Sequence, residues 1–372
     1  MPVAIALASA GHDVAVCSSP TLRPEVEAFG LCHLDAGVKW HMSWRAEDRP
    51  WADLVHGGGS LGDGMARLWV SVVARAFLPD LLAVARHWAP DVIIRESTEY
   101  AGCVAAERIG VPHVSVLTDL FTAAQLASPP LRRAVNELRA EVGLCADDGA
   151  MEYRYLHLCP VPPRFLDESE RHRPSSRFVQ HMPRARPSDE LPESVLRLPD
   201  RPTVFASLGT TTFATDDRRL WKALMDGLAG EDLNVVLAVG IGGDPYSFGP
   251  PPPNVVIERF VPQVLLLPNC GVMVTSGGFT SVRDALSFGI PLVVVPVMGP
   301  QWTVAGRCQA LGLGRCLAPG NATPTAVHET VRTVLDDPSY AREARSFAQE
   351  MSRLLSPDEM VVILENVVAG RI

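Results

Sequence analysis

The chain has 372 residues, 47% of them apolar and 20% charged, with a formal charge of −9 at pH 7. At roughly 100–200 residues per domain the length predicts two domains, and this balance excludes disorder and collagen-like repetition. The acid excess argues against a nucleic-acid or anionic-membrane partner, and no apolar run reaches the ~18–20 residues expected of a membrane span.

Residues 2–10 read as a small-residue helix stopped at Gly11; with no basic residues before them they do not fit a secretion signal. Residues 13–17 (DVAVC) read as a short buried strand. Helical apolar spacing follows over 66–88, a strand over 91–94 (DVII), a helix through 104–109 and a strand over 114–117. This alternation predicts a parallel sheet covered on both faces. Residues 36–65 are irregular and rich in Trp and Gly, which suggests a functional loop. From about 167 to 202 arginine, acid and proline dominate, which reads as a linker. The pattern then restarts with strands at 203–207 (TVFAS), 234–239, 255–258, 272–275 and 292–296. Helices are predicted at 218–229, 280–288, 302–311 and 324–336, and a helical tail from 339 to 369 is broken at Pro357. The eight cysteines include no Cys-x-x-Cys pair and no His-rich neighbourhood, so reduced thiols in a cytoplasmic protein are expected and a metal site is not.

Two turns carry the chemistry. A strand ending at Thr275 runs into Ser276-Gly277-Gly278-Phe279-Thr280-Ser281 and then a helix. Glycines let the backbone approach an anion, and a helix N-terminus supplies N–H groups and a positive dipole. Asp284, one turn into that helix, is placed to accept bonds from sugar hydroxyls; equally, Ser281 and Asp284 fit a plain helix cap. Ser207-Leu208-Gly209-Thr210-Thr211 repeats the strand, glycine and hydroxyl order earlier in the same half. Two such turns in one doubly wound sheet suit a diphosphate, although neither is a dinucleotide fingerprint or a P-loop.

Residues 203–314 resemble the donor-binding half of the GT-B nucleotide-sugar glycosyltransferases, a superfamily that includes actinobacterial antibiotic and plant small-molecule enzymes. The matching residues are Val204–Thr210, Val261-Pro262-Gln263, Gly277-Gly278, Ser281, Gly289-x-Pro291 and Gln301. Gly11-His12-Asp13-Val14 and residues 94–112 extend the likeness more loosely into the first half. The resemblance implies two Rossmann-like domains facing a cleft: 1–170 for the acceptor and 202–352 for the nucleotide sugar, joined by a linker at 171–201, with a helix at 353–372 crossing back. It implies inverting transfer of a (deoxy)hexose from a TDP- or UDP-sugar to a hydroxyl of a hydrophobic natural-product acceptor, without cofactor or metal. Gly209, Thr210, Ser276, Gly277, Gly278, Phe279, Thr280 and Ser281 would hold the diphosphate region, Val261 and Gln263 the base, Asp284 the ribose and Gln301 the sugar. A homodimer is left open.

The departures from the family pattern shape the expectation. Ser276 stands where the family has a pyrophosphate-contacting His, Asp284 where it has Glu, and Pro300 where it has a sugar-contacting Asp. Losing the charge-assisted bond at 276 costs about 1–2 kcal/mol. The family's acceptor-deprotonating His lies on a loop before the first helix here, so a reading frame extending upstream is expected. Glu96 falls at the acid that orients that His, and its alternative is a loop acid paired with Arg95 or Arg108. Trp40, Trp44 and Trp51 are expected to wall the acceptor site. His56–Gly62 imitates two hydrolase motifs that overlap, and it lacks the strand-to-helix setting an elbow needs. The competing reading is a degenerate homologue acting as a binding or auxiliary subunit.

Overall fold

The computed structural model describes residues 1–38, 61–209, 218–240 and 243–371. The described residues up to Met182, together with the stretch from Arg353, form one compact unit; those of Pro183–Ser352 form a second. Helices of eight residues or more are numbered.

The first unit opens with α1 (Pro2–Ser9), then β1 (Ala15–Ser18) and β2 (Cys32–Asp35), which pair in parallel. A helix over Gly62–Trp88 follows, its middle Ala66–Ala74 wound as a π-helix and its end forming α2 (Arg75–Trp88). Next come β3 (Ile93–Glu96), α3 (Ala101–Ile109), β4 (His113–Val116), α4 (Pro129–Glu141), β5 (Leu156–Cys159) and β6 (Ser176–Phe178). Strands β3 to β6 form a parallel sheet in sequential order; among the described residues no strand joins it to β1–β2.

The Gly62–Trp88 helix corrects the expectation that no stretch reaches membrane-helix length, since it is long and apolar enough by length and composition. Its Val70, Ala74, Leu78 and Leu81 nevertheless pack in the first unit's core with Val104 of α3 and Leu131 and Leu138 of α4. Residues 171–201 hold more structure than their composition suggests, because β6 closes the edge of the first sheet. An edge strand is paired on one side only and tolerates the polar sequence Ser-Arg-Phe.

The second unit contains β7 (Thr203–Ser207), α5 (Arg218–Gly227), β8 (Asn234–Ala238), β9 (Val255–Glu258), β10 (Cys270–Thr275), α6 (Phe279–Ser287), β11 (Leu292–Val294), α7 (Gln301–Ala310) and β12 (Gly314–Cys316). Then α8 (Pro324–Asp336) and α9 (Pro338–Ser352) complete it. All six strands are parallel, in the order β12-β11-β10-β7-β8-β9. Central strands buried on both faces need continuous apolar runs, which Val-Phe-Ala and Val-Val-Leu-Ala supply. Trp221 and Leu224 of α5 and Val327 and Val331 of α8 cover this sheet.

The last helix, α10 (Pro357–Val368), starts in a capping box between Ser356 and Glu359. It buries Met360, Leu364 and Val367 against Val114, Leu156 and Leu158 of the first sheet.

Candidate functional site

In the second unit the strand order reverses direction between β7 and β10. Ligands of doubly wound sheets bind beyond the strand C-termini at such a reversal, and both glycine turns lie there. Ser207 and Thr275 are paired in register, so the chain leaves the two strands side by side. The Ser276 hydroxyl oxygen is 3.7 Å from the point where a Cβ on Gly209 would stand.

Gly209 and Gly277 have φ of +92° and +87°, in the left-handed region that favours glycine. Gly277 is also enclosed: a Cβ would lie 2.9 Å from Val294 Cγ1 and 3.2 Å from the Gln301 carbonyl oxygen. Its N–H donates to Thr275 Oγ1 at 3.2 Å. Gly278, by contrast, has nothing within 4 Å of its Cβ position and is the N-cap of α6. No side chain caps this helix, so the alternative role of Ser281 and Asp284 as a cap is not realised. An uncapped helix start behind an open glycine is suited to an anion.

The other predicted donor residues gather around this turn in different ways. Gln263 Nε2 donates to Asp284 Oδ2 at 2.5 Å, tying the Val261-Pro262-Gln263 segment to α6. Gln301 Oε1 accepts from the N–H groups of Val297 and Met298 at 2.9 and 3.1 Å, which directs its amide NH2 end to other partners. Thr280 is exposed, and its hydroxyl accepts from Arg283 Nη2 at 3.3 Å. Val261 and Phe279 are buried at 3% exposure, as are Ser276 at 1% and Asp284 at 4%. Thr210, Trp40, Trp44, Trp51 and residues 56–60 of the hydrolase-like stretch lie outside the described residues.

In the first unit Glu96 ends β3. Its carboxylate accepts from the Thr98 hydroxyl at 2.6 Å, the Thr98 N–H at 3.2 Å and the Thr118 hydroxyl at 2.5 Å. It is therefore held by hydroxyls rather than paired with an arginine. The buried Arg95 turns away, giving its N–H groups to the carbonyls of Glu96, Ser97, Glu99 and Glu152. Thr118 escaped sequence reading because it arrives from the end of β4, and only the register pairing Glu96 with Val116 brings it near. Thr98, two residues from the acid, carried a local signal.

Burial dominates the electrostatics here. It pushes the Glu99 carboxyl up to about 7 against the opposing pull of Arg95 and the Gly102 and Ala101 N–H groups. It likewise raises Glu152 to about 7, again opposed by Arg95. A cavity of about 280 Å³ lies beside Glu152, lined also by Leu126, Val135, Met151, Tyr153 and Arg173. Leu126 and Tyr153 also line a small hollow against Ser97 and Thr98, next to Glu96. Among the described residues no group of three or more His, Cys, Asp or Glu is placed to hold a metal ion.

The profile of the erythromycin biosynthesis protein CIII-like C-terminal domain matches residues 222–367, and that of the corresponding N-terminal domain matches 60–143. The chain is 28% identical to the 4'-demethylrebeccamycin synthase of Lentzea aerocolonigenes, over 99% of this chain and 96% of that protein. It is 29% identical to the L-demethylnoviosyl transferase of Streptomyces niveus, over 99% and 93% respectively. Among solved structures, the glycosyltransferase VinC in complex with dTDP superposes with a TM-score of 0.78 at 24% identity, over 99% of this chain and 95% of that one. The SsfS6 glycosyltransferase of a Streptomyces species, complexed with thymidine diphosphate, gives 0.73 at 25% identity, over 98% and 94%.

Proposed function

This chain belongs to the EryCIII-like family of natural-product glycosyltransferases with the GT-B fold, and on that premise we propose that it moves a (deoxy)hexose from a TDP- or UDP-sugar to a hydroxyl of an apolar aglycone, of polyketide, macrolide or enediyne type, with inversion. The observation that carries this reading is the convergence of two glycine turns and an uncapped helix start at the reversal of the second sheet. Backbone N–H groups from Gly278 onward and the α6 dipole would take up the charge that develops on the departing diphosphate, so no metal is required. The Gln263–Asp284 pair would present an amide to the base and a carboxylate to the ribose, and Gln301 would offer its NH2 to the sugar. With Pro300 in place of an acidic side chain, a sugar lacking the corresponding hydroxyl is the better fit.

The acceptor belongs to the first unit in this reading, in the cavity that Leu126 and Tyr153 connect with the surroundings of Glu96. As the acceptor oxygen bonds to the anomeric carbon and the bond to phosphate breaks, the acceptor proton must go to a base. Glu96, fixed by two threonine hydroxyls, would orient the acceptor-deprotonating imidazole that the family resemblance implies and stabilise its cation. Glu96→Gln is then expected to lower kcat about 100-fold while leaving nucleotide affinity unchanged; steady-state kinetics beside calorimetry checks both halves. Calorimetric titration with TDP and UDP tests the donor assignment itself. Binding of at least one is expected, and absence of heat with both at millimolar concentration would remove the reading in favour of an auxiliary subunit.

A further inference from the structure

The first unit carries a second constellation that glycosyl transfer leaves unused and that does not depend on it. Strands β1 and β2 pair Val16 with His33 and Ser18 with Asp35. Side chains alternate between sheet faces with a period of two, so Ser18, His33 and Asp35 share one face at the strands' C-terminal ends. There Ser18 Oγ lies 2.9 Å from His33 Nε2. On the other side of the ring Nδ1 lies 3.2 Å from Asp35 Oδ1, at ion-pair distance though not aligned for a hydrogen bond. Arg23 Nη2 holds the second oxygen of Asp35 at 2.8 Å.

A hydroxyl on Nε2 and a carboxylate on Nδ1 is the arrangement of nucleophile, general base and orienting acid. A loosely aligned contact within it is ordinary before substrate arrives. Exposure is graded in the useful sense: the His33 ring is fully buried, whereas Ser18 is partly exposed and Asp35 half exposed. The same unit contains a contrasting trio. Ser115 Oγ bonds His157 Nδ1 at 2.6 Å and Glu170 Oε2 lies 3.6 Å from Nε2, but all three are buried, so that hydroxyl has no access to a substrate.

We propose that Ser18, His33 and Asp35 form a nucleophilic site for small carboxylic esters. Ser18 Oγ would attack the ester carbonyl carbon while its proton passes to His33 Nε2. Collapse of the tetrahedral adduct breaks the bond to the alcohol, which leaves with that proton, and the acyl group stays on Ser18. Water then attacks the acyl carbon, its proton passing through His33 back to Ser18 Oγ, so that ester and water become acid and alcohol. The Asp35 carboxylate, held by Arg23, steadies the imidazolium in both halves.

The full chain should be treated with a fluorophosphonate probe and the labelled residue mapped by peptide mass spectrometry, alongside an initial-burst assay with p-nitrophenyl acetate. Labelling at Ser18 is expected, with at least a tenfold loss of labelling and burst in both Ser18→Ala and His33→Gln, and no loss in Ser115→Ala. Circular dichroism would verify that each variant folds, and mapping on the unaltered protein stands even where one does not. No labelling, or labelling confined to another residue, overturns the proposal.

Discussion

Replacing Gly277 with alanine is expected to damage the second unit and its ligand site together, whereas the same change at Gly278 should spare the fold. At 277 the new side chain must adopt a φ of +87° and bring its Cβ to 2.9 Å from Val294 Cγ1. The left-handed backbone costs about 1–2 kcal/mol and the overpacking about 1–3 kcal/mol more. The strain falls on the turn that leads into α6, so the N–H groups proposed to receive a diphosphate would shift as well. Charge-assisted hydrogen bonds are worth about 1.5–3 kcal/mol each, so nucleotide affinity should fall at least about tenfold. At Gly278 φ is −55° and a Cβ meets nothing within 4 Å. Gly278→Ala should therefore unfold in urea at an unchanged midpoint, yet bind TDP more weakly, because its methyl group projects where the anion approaches. Urea titration and calorimetry on the two variants separate these effects. Equal nucleotide affinity in Gly278→Ala and the unaltered protein would count against a ligand at this turn.

A second large effect is expected from pH, and it arises in the first unit. Burial lowers His113 and His157 to about 3, with Arg95 adding to both shifts. His113 stacks edge-on against Tyr155, and the nearby Met151 backbone tempers its shift without a well-aligned bond to either ring nitrogen. A histidine whose folded pKa is depressed binds its proton only on unfolding, so its stabilisation is complete above about 6.5 and is lost as pH falls toward 3. Glu99 and Glu152 act in the opposite sense: raised to about 7, they favour the folded state at low pH and lose that contribution as pH rises from about 4.5 to 7.

Between about pH 4.5 and 6.5 the two pairs offset one another. Below 4.5 only the histidines among these four still titrate, and two protons taken up on unfolding give a slope of about 2.7 kcal/mol per pH unit. Urea midpoints should therefore be nearly flat in weak acid and fall steeply from about 4.5 downward. His113→Leu is expected to halve that slope. Combining Glu99→Gln with Glu152→Gln should move the onset of the decline up to about 6.5, since the offset is gone. A midpoint that keeps falling smoothly from neutrality in the unaltered protein would contradict the assignment.

The amino-acid sequence was sufficient for the central strands and for the glycine turns at Gly209 and Gly277. Strands such as β7, β8 and β10 are uninterrupted apolar runs, the composition that burial on both faces demands, and each glycine turn follows its strand directly. The four strands that escaped it, β2, β5, β6 and β12, are short runs carrying His, Asp, Arg or Ser. Three of them are edge strands, where one-sided pairing relaxes the apolar requirement. The pattern along the chain also could not show that Val261 and Phe279 turn inward, because apolar side chains serve a packed interior and a ligand wall equally well. Only the tertiary structure brought Thr118 to Glu96, Gln263 to Asp284 and Ser18 to His33. Each of these contacts joins two elements distant in sequence, and its geometry depends on strand register or helix packing, which the order of residues along one segment does not encode.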